Sequence, residues 1–376
     1  MRWSVLALSL AVLAVETMAA EPRARDLGIP FSFGTPGKWN AITDVPGVAV
    51  GHVTLIEGEG VRTGVTAVMP RGNGDEARRP CFGGMFSLNG DGEMTGSHRT
   101  EEFGLLDGPV MLTNTNSVGV VRDALSRYAA RRWPPKRLWT VWSIPVVAET
   151  WDGPMNDIYG FHVRAEHAFQ AIDGAASGPV AEGSVGGGTG MDAYEFKAGI
   201  GTASRVLAKE QGGYTVGVLV QANHGLRHQL LIAGIPVGLE LPAEKPRTED
   251  SGSIIIVVAT DAPLLPHQTK RLARRASLGL ARTGSVSGNT SGDLFVAFST
   301  ANPRAGDSDA VVPLEMLAND RMGPLFEAVV GATEEAIVNA LVAGRTMTGH
   351  VGTRVVGLPH DKVQAILKRH AVLQGR

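Results

Sequence analysis

The pair Gly252-Ser253 lies where a charged, proline-containing loop (residues 241–252) meets a run of apolar residues (254–258). A serine hydroxyl can attack the carbonyl of the preceding residue when that carbonyl is unhindered and the serine is held rigidly. Glycine supplies both an open carbonyl and tolerance of a strained backbone. Cleavage would give Ser253 a free α-amine, whose ordinary pKa of about 7.7–8.0 suits a general base at neutral pH. The pair therefore indicates a nucleophile generated by internal cleavage.

A second polar cluster, Asn289-Thr-Ser-Gly-Asp293, directly precedes another apolar run. Strand, helix and strand between Ser253 and this second run form a crossover unit, which places the two strands parallel. Parallel strands begin at the same sheet edge, so we expect Ser291 and Asp293 to lie near Ser253. Taken alone, the pattern leaves a plainer interpretation open. In it, residues 241–252 are a linker or surface loop, and Ser253 is a strand-edge serine of a binding protein.

Other reactive sites are poorly supported by the sequence. There is no H-E-x-x-H or G-x-S-x-G motif, and the single cysteine, Cys81, excludes an intramolecular disulfide and a cysteine-based zinc cluster. The glycine-rich stretch 183–190 lacks the Lys-Ser/Thr ending of a phosphate loop, so it predicts close packing or a wall of backbone amides. Residues 88–93 fit a tight turn better than a calcium loop. We predict no metal and no cofactor.

Charge argues against a nucleic-acid partner. The 35 Lys and Arg against 37 Asp and Glu give a formal net charge of −2, without the basic surplus that nucleic-acid binding needs. The basic segment 270–275 faces Leu272, Ala276 and Leu280 across a helix, which is typical of a solvated amphipathic helix.

The elements that must position these residues alternate along the chain. Short apolar runs between Gly, Pro, Asn and Asp predict strands, and spacings of three and four predict helices. Such mixing indicates an α/β or α+β layered fold. The predicted strands are 48–56, 65–69, 109–113, 138–147, 214–220, 254–259 and 294–298, and the predicted helices are 118–131, 268–282, 325–342 and 361–370.

The first twenty residues have the form of a signal peptide. Arg2 precedes an apolar stretch (5–15) that is too short to span a membrane, and small residues end at Ala20. We predict that residues 1–20 are removed and that the protein is exported, periplasmic or secreted, with no membrane contact after signal removal.

Eight stretches, in order along the chain, give the sequence a specific resemblance. It resembles the self-processing serine aminopeptidases that include the L-aminopeptidase D-amidase/D-esterases and the β-peptidyl aminopeptidases. The stretches begin at Asn40 (NAITDVPGV), Val61 (VRTGVTA), Leu112 (LTNTNSVGVVRD), Val185 (VGGGTGM), Val220 (VQANHG), Gly252 (GSII), Ala262 (APLLPH) and Ser291 (SGD).

The resemblance implies a four-layer αββα sandwich, similar to the N-terminal-nucleophile hydrolases but differently connected. It also implies one structural domain cleaved into an α part, residues 21–252, and a β part, residues 253–376. The active protein would be a homo-oligomer of such αβ heterodimers.

Residue roles also follow from the resemblance. Ser253 matches the nucleophile, and Ser291 and Asp293 match the pair that hydrogen-bonds and orients it. Asn223 matches the side-chain donor to the oxyanion, and Glu149 matches the carboxylate that receives the free ammonium of the substrate.

One departure concerns the substrate pocket. Trp151 stands where a tyrosine is expected, and an indole N–H is placed differently from a phenol O–H. Trp142 is a second residue that can line the acyl pocket, although a place in the core fits it equally well.

We therefore expect a serine aminopeptidase that hydrolyses short peptides, amino-acid amides or esters through an acyl-enzyme. An alternative within the hydrolases is a β-peptidyl or D-amino-acid-specific amidase or esterase. An alternative of another class is an acyltransferase similar to ornithine acetyltransferase, which uses threonine in place of Ser253.

Overall fold

The computed structural model describes residues 22–133, 144–243, 247–250, 252–307 and 309–373. Two sheets and two short hairpins contain the strands of these residues. In chain order the strands are β1 (Ala49–Glu57), β2 (Val61–Met69), β3 (Cys81–Gly90), β4 (Leu105–Leu106), β5 (Val110–Asn114), β6 (Val146–Thr150), β7 (Asp192–Ala193), β8 (Phe196–Lys197), β9 (Ile200–Val206), β10 (Thr215–Asn223), β11 (Ser253–Thr260), β12 (Gly292–Ser299), β13 (Met347–Thr348) and β14 (Arg354–Val355).

The described residues also form seven α-helices. They are α1 (Ser97–Phe103), α2 (Val118–Arg132), α3 (Ala165–Asp173), α4 (Val237–Glu240), α5 (Pro266–Arg282), α6 (Gly323–Val342) and α7 (His360–Arg369). None of the helices in the described part of the chain is both long enough and apolar enough to span a membrane.

Four layers result from the packing of these elements. A four-stranded sheet, in the order β1-β2-β5-β6, faces a six-stranded sheet, in the order β4-β3-β12-β11-β10-β9. Helices α2 and α3 pack on the outer face of the smaller sheet, and α5 and α6 pack on the outer face of the larger one. The predicted αββα sandwich is confirmed.

Strand β11 shows why the larger sheet is so apolar. Ile254, Ile256 and Val258 face the helices, whereas Ile255 and Val257 face the smaller sheet, and all five are fully buried. A strand buried on both faces needs a continuous apolar run rather than alternation. The predicted crossover is also present, because β11 and β12 pair in parallel and α5 connects them.

Several predicted elements differ from the structure. The predicted strand 138–147 overlaps β6 only at Val146 and Val147, and most of the rest lies outside the described residues. Strands β3 and β9 and helix α3 were not predicted. A Cβ on Gly84 in β3 would lie 2.4 Å from the backbone nitrogen of Lys270, so this glycine marks direct packing of the strand against α5.

The amphipathic prediction for α5 is correct. Leu272, Ala276 and Leu280 belong to the core, whereas the exposed Lys270 pairs with Glu101 at 2.6 Å. The glycine-rich stretch is likewise a packing element. A Cβ on Gly187 would lie 2.2 Å from Gln221 Oε1, and the amides of Gly186 and Gly187 donate to Thr54 and Thr66.

Candidate active site

Ser253 is the first residue of β11, inside the larger sheet. It is buried, and its register partner on the antiparallel strand β10 is Asn223. Its Oγ accepts a hydrogen bond of 3.0 Å from the backbone N–H of Gly292, the first residue of β12. The neighbouring strand therefore holds the hydroxyl oxygen through its backbone.

Gly252 occupies a position that accepts no side chain. A Cβ there would lie 1.8 Å from the carbonyl oxygen of Asn223. The loop before it is anchored by Asp250, whose Oδ1 accepts the N–H of Gly225 at 2.9 Å and whose carbonyl accepts Thr290 Oγ1 at 2.9 Å. The Gly252-Ser253 bond thus joins an anchored loop to a buried strand.

Asp293 lies beside Ser253, because it pairs with Ile254 across the parallel strands. Its Oδ1 accepts a hydrogen bond of 2.7 Å from Ser291 Oγ, and its Oδ2 accepts one from Ser287 Oγ. Burial raises the pKa of the Asp293 carboxyl, and these two hydrogen bonds oppose the increase.

The predicted grouping of Ser291 and Asp293 with Ser253 is present, with one difference in detail. Among the described residues, the hydrogen bond to Ser253 Oγ comes from Gly292, between the two predicted residues, and not from either side chain. Ser291 is turned toward Asp293.

Asn223 ends β10 with its side-chain amide held at both ends. Its Oδ1 accepts the N–H of Asp192 at 3.0 Å, and its Nδ2 donates to the carbonyl of Trp151 at 2.9 Å. The partners fix the orientation of the amide, because a backbone N–H only donates and a carbonyl only accepts. Among the described residues only one N–H of Nδ2 has an acceptor, so the other can serve a further one.

Glu149 lies near the end of β6, on the smaller sheet, and is only 3% exposed. Its Oε1 accepts the N–H of Glu93 at 2.9 Å, and its Oε2 accepts Thr115 Oγ1. Burial raises the pKa of the Glu149 carboxyl. The two hydrogen bonds lower this pKa, and the negative charges of Glu93 and Asp91 raise it further.

Residues of both sheets line one cavity of about 310 Å³. Glu149 and Ser253 both face it, and Trp151, 43% exposed, forms part of its wall. The lining residues are Asp91, Gly92, Glu93, Thr115, Glu149, Trp151, Ser253 and Thr290. A small molecule in this cavity can meet a carboxylate and a hydroxyl nucleophile at once.

Trp142 lies outside the described residues, so its predicted place in the acyl pocket stays a prediction, and Ser251, which precedes Gly252, lies outside them as well. Within the described chain, no group of three or more His, Cys, Asp or Glu is arranged to hold a metal ion.

Comparison with known proteins identifies the family. The model of peptidase family S58 matches residues 40–355, which is most of the chain. The chain belongs to peptidase family S58. The prediction of a serine aminopeptidase is thereby confirmed at the level of the family.

Individual relatives of this S58 chain agree with the family. The β-peptidyl aminopeptidase BapA of Sphingosinicella microcystinivorans is 53% identical over 96% of this chain and 95% of its own. A Burkholderia sp. β-aminopeptidase structure has a TM-score of 0.87 at 50% identity, covering 94% of this chain and all (100%) of its own.

A second solved structure bears on the fold. The L-aminopeptidase D-Ala-esterase/amidase of Ochrobactrum anthropi has a TM-score of 0.87 at 45% identity, covering 94% of this chain and 100% of its own. That enzyme is described as a new variant among the N-terminal-nucleophile hydrolase fold. The predicted fold class of this S58 chain is confirmed.

Sequence reasoning missed four side chains of the site. Asp91 and Glu93 belong to a stretch interpreted only as a tight turn, and Thr115 follows β5 as the first residue of a short 3₁₀ helix. Ser287 lies six positions before Asp293 in the same serine-rich stretch, which is the one local signal that was available.

Proposed function

We propose that this S58 peptidase is a self-processing serine aminopeptidase that releases N-terminal residues from short peptides, amino-acid amides or esters. The observation that carries the proposal is that Glu149 and Ser253 line the same cavity. A substrate whose ammonium pairs with the buried Glu149 carboxylate extends its first carbonyl toward the Ser253 hydroxyl. The cavity therefore supports a requirement for a free amine.

Maturation starts with attack of Ser253 Oγ on the carbonyl carbon of Gly252. The carbon–nitrogen bond breaks, the hydroxyl proton passes to the departing nitrogen, and Gly252 is left as an ester on Oγ. Water then hydrolyses this ester, giving a Gly252 carboxylate and a Ser253 with a free α-amine. The absence of a side chain at Gly252 leaves room for the tetrahedral carbon.

In turnover, the α-amine of Ser253 takes the hydroxyl proton as Oγ attacks the substrate carbonyl. The free N–H of Asn223 Nδ2 donates to the oxyanion, a role whose loss costs roughly 10²- to 10³-fold in kcat at comparable sites. The leaving amine departs with a proton, and water hydrolyses the acyl-enzyme. Ser291 and Asp293 order the strand end that carries Gly292, the donor to Ser253 Oγ.

A second candidate substrate class is peptides that begin with a β-amino acid. Two relatives, 53% and 46% identical to this chain, are named β-peptidyl aminopeptidases, and this supports the second class. A β-residue places one more carbon between ammonium and carbonyl, so Glu149 and Ser253 would be spanned by a longer substrate.

Export and assembly belong to the same proposal. The signal-like residues 1–20 support a periplasmic or secreted enzyme, and detection of the processed chain only in the cytoplasmic fraction would overturn this. The proposed assembly is a homo-oligomer of αβ heterodimers, with residues 21–252 and 253–376 as the two parts. Light scattering of the cleaved protein at one heterodimer mass would contradict it.

Two measurements on the wild-type protein test the activity. Denaturing gel electrophoresis should show two fragments, and N-terminal sequencing of the smaller one should read Ser-Ile-Ile-Ile-Val. A panel of L-, D- and β-aminoacyl p-nitroanilides should then be hydrolysed, with N-acetylated versions as matched controls. One intact band, or equal turnover of acetylated and free substrates, would overturn the proposal.

A further inference from the structure

Lys197, near the candidate active site, is unusual because its amine is buried. It lies in β8, its side chain is fully buried, and no ion pair links it to a carboxylate among the described residues. Burial lowers the pKa of its amine to about 7. Removing an amine from water is costly, and methionine or leucine would fill the space without that cost. A buried lysine here therefore needs an explanation in terms of its hydrogen bonds.

Those hydrogen bonds go to backbone carbonyls next to the oxyanion donor. Lys197 Nζ donates to the carbonyl oxygen of Met191 at 2.5 Å and to that of Ala198 at 3.2 Å. The N–H of Ala198 also reaches the Met191 oxygen at 3.2 Å. Lys197 thus provides the shorter of two bonds to this carbonyl, and it can donate whether or not the amine is protonated.

The Met191 carbonyl belongs to the same peptide group as the N–H of Asp192. That N–H donates to Asn223 Oδ1 at 3.0 Å, and the opposite end of the Asn223 amide carries Nδ2. The donors and acceptors therefore run head to tail from the Lys197 amine, through one peptide plane, to the Asn223 amide. Hydrogen bonds arranged in such a chain polarise and orient one another.

We propose that Lys197 is a positioning residue for the oxyanion donor, acting on Asn223 through the Met191–Asp192 peptide. By holding this peptide it fixes where the Asp192 N–H points, and so which end of the Asn223 amide faces Ser253. This inference rests on the proposed function, because it takes Asn223 as the oxyanion donor. Lys197 itself is not among the residues that line the cavity.

The Asp192–Lys197 hairpin is suited to this task. Asp192 and Lys197 are register partners in the β7–β8 hairpin, and the Asp192 side chain is tied to Arg247 at 2.8 Å. The Lys197 N–H donates to the carbonyl of Val356 at 2.7 Å, which fixes the backbone from which the lysine side chain extends. The Met191–Asp192 peptide is thus held from the side opposite Asn223.

A double-mutant cycle on the fully processed enzyme tests the proposal. We expect Lys197→Met to lower kcat about tenfold and to change KM less than about twofold, as for loss of one oriented hydrogen bond. In an Asn223→Ala background the same substitution should change kcat less than about twofold, since its target is gone. Lys270→Met, a matched change at the exposed lysine on α5, should leave kcat and KM unchanged.

Lys197→Gln keeps a hydrogen-bond donor without the amine and carries the test if Lys197→Met does not fold. We expect its kcat to lie between those of the wild type and Lys197→Met. Wild-type kcat in Lys197→Met would overturn the proposal, as would an equal loss with and without Asn223, or failure of both variants to fold. Wild-type kcat in Asn223→Ala alone would instead remove the oxyanion assignment of the proposed function.

Discussion

The two sheets end at the same cavity, but they hold their polar residues in different ways. On the larger sheet, Ser253 and Asn223 are register partners, and backbone groups hold their side chains. On the smaller sheet, Glu149 accepts one backbone and one side-chain hydrogen bond and has two further carboxylates near it. The first arrangement fixes atoms in place, whereas the second tunes a charge.

This difference indicates a division of labour. A nucleophile and an oxyanion donor need positions accurate to a fraction of an ångström, which strands paired in register supply. A carboxylate that binds an ammonium needs its charge and a partly dry environment, and it tolerates small displacements. Substitutions on the larger sheet should therefore remove turnover, and those on the smaller sheet should change which substrates are used.

The largest effect is expected for Ser253→Ala. Removal of the hydroxyl eliminates both the attack on Gly252 and the attack on substrate, so the protein should remain one uncleaved, inactive chain on a gel. Ser253→Cys should cleave at least slowly, because a thiol can make the same acyl shift. Ser251→Ala is the matched control and should process normally. A smaller fragment that begins Ser-Gly-Ser-Ile would transfer the nucleophile to Ser251.

A smaller loss, about a hundredfold in kcat, is expected for Asp293→Asn. The carboxylate accepts hydrogen bonds from Ser291 and Ser287, and an amide would turn its NH₂ group toward one of these hydroxyls. The strand end that carries Gly292 should then shift. Steady-state kinetics on processed protein measure the effect, and Ser287→Ala should lose less than Asp293→Asn. Unchanged kcat in both variants would show that Gly292 needs no such support.

On the smaller sheet, Glu149→Gln should lower kcat/KM for free-amine substrates about tenfold or more while leaving self-cleavage intact. The ionisation of Glu149 should also be visible in the pH profile of the wild-type enzyme. The pKa of this carboxyl is raised by burial, and only the ionised form pairs with an ammonium. The value of kcat/KM should therefore fall as the pH decreases through that raised pKa, in addition to the fall caused by protonation of the Ser253 α-amine, and Glu149→Gln should lack only the part of this acid limb that belongs to Glu149.

Glu93→Gln is the matched variant for the pH profile. It removes a negative charge that raises the pKa of Glu149 but keeps the backbone N–H that Glu149 accepts. The acid limb should move to lower pH, with little loss of kcat/KM on its plateau. An unmoved limb would assign the ionisation to another group.

What could be predicted from the sequence depends on whether the residues that meet lie within one stretch of chain. The crossover from β11 through α5 to β12 lies within one stretch of chain, and its apolar runs and helical spacing were sufficient to place Asp293 beside Ser253. Strand β9 was missed because it carries Arg205, whose charge is paired with the buried Glu335 of α6 at 2.8 Å. A search for runs of apolar residues misses a strand that contains a charged residue, because the residue that neutralises the charge is distant in the sequence.

The residues that line the cavity show most clearly what could not be predicted from the sequence. Thr115 follows β5 and Glu149 lies in its paired strand β6, whereas Asp91 follows β3 of the larger sheet and joins them only because the two sheets pack face to face. No local period encodes such a meeting. The resemblance to known aminopeptidases supplied Glu149, but Asp91 and Thr115 emerged only from the fold.

The smallest effect is expected for Trp151→Phe, which tests whether the indole takes part in the chemistry. Trp151 contacts Asn223 through its backbone carbonyl, which every substitution keeps. Its indole lies against Gly153, where a Cβ would be 2.6 Å from the ring, so the side chain forms wall rather than donor. We therefore expect kcat within about twofold of wild type and a change of KM of about threefold or less, by loss of apolar contact area.

Trp151→Tyr is the matched variant, because it restores the phenol expected at this position, and it should raise kcat little. A loss of kcat in Trp151→Phe as large as that in Asn223→Ala, recovered in Trp151→Tyr, would instead make this side chain an oxyanion donor. The smaller sheet would then share in the chemistry, and the division of labour between the two sheets would no longer hold.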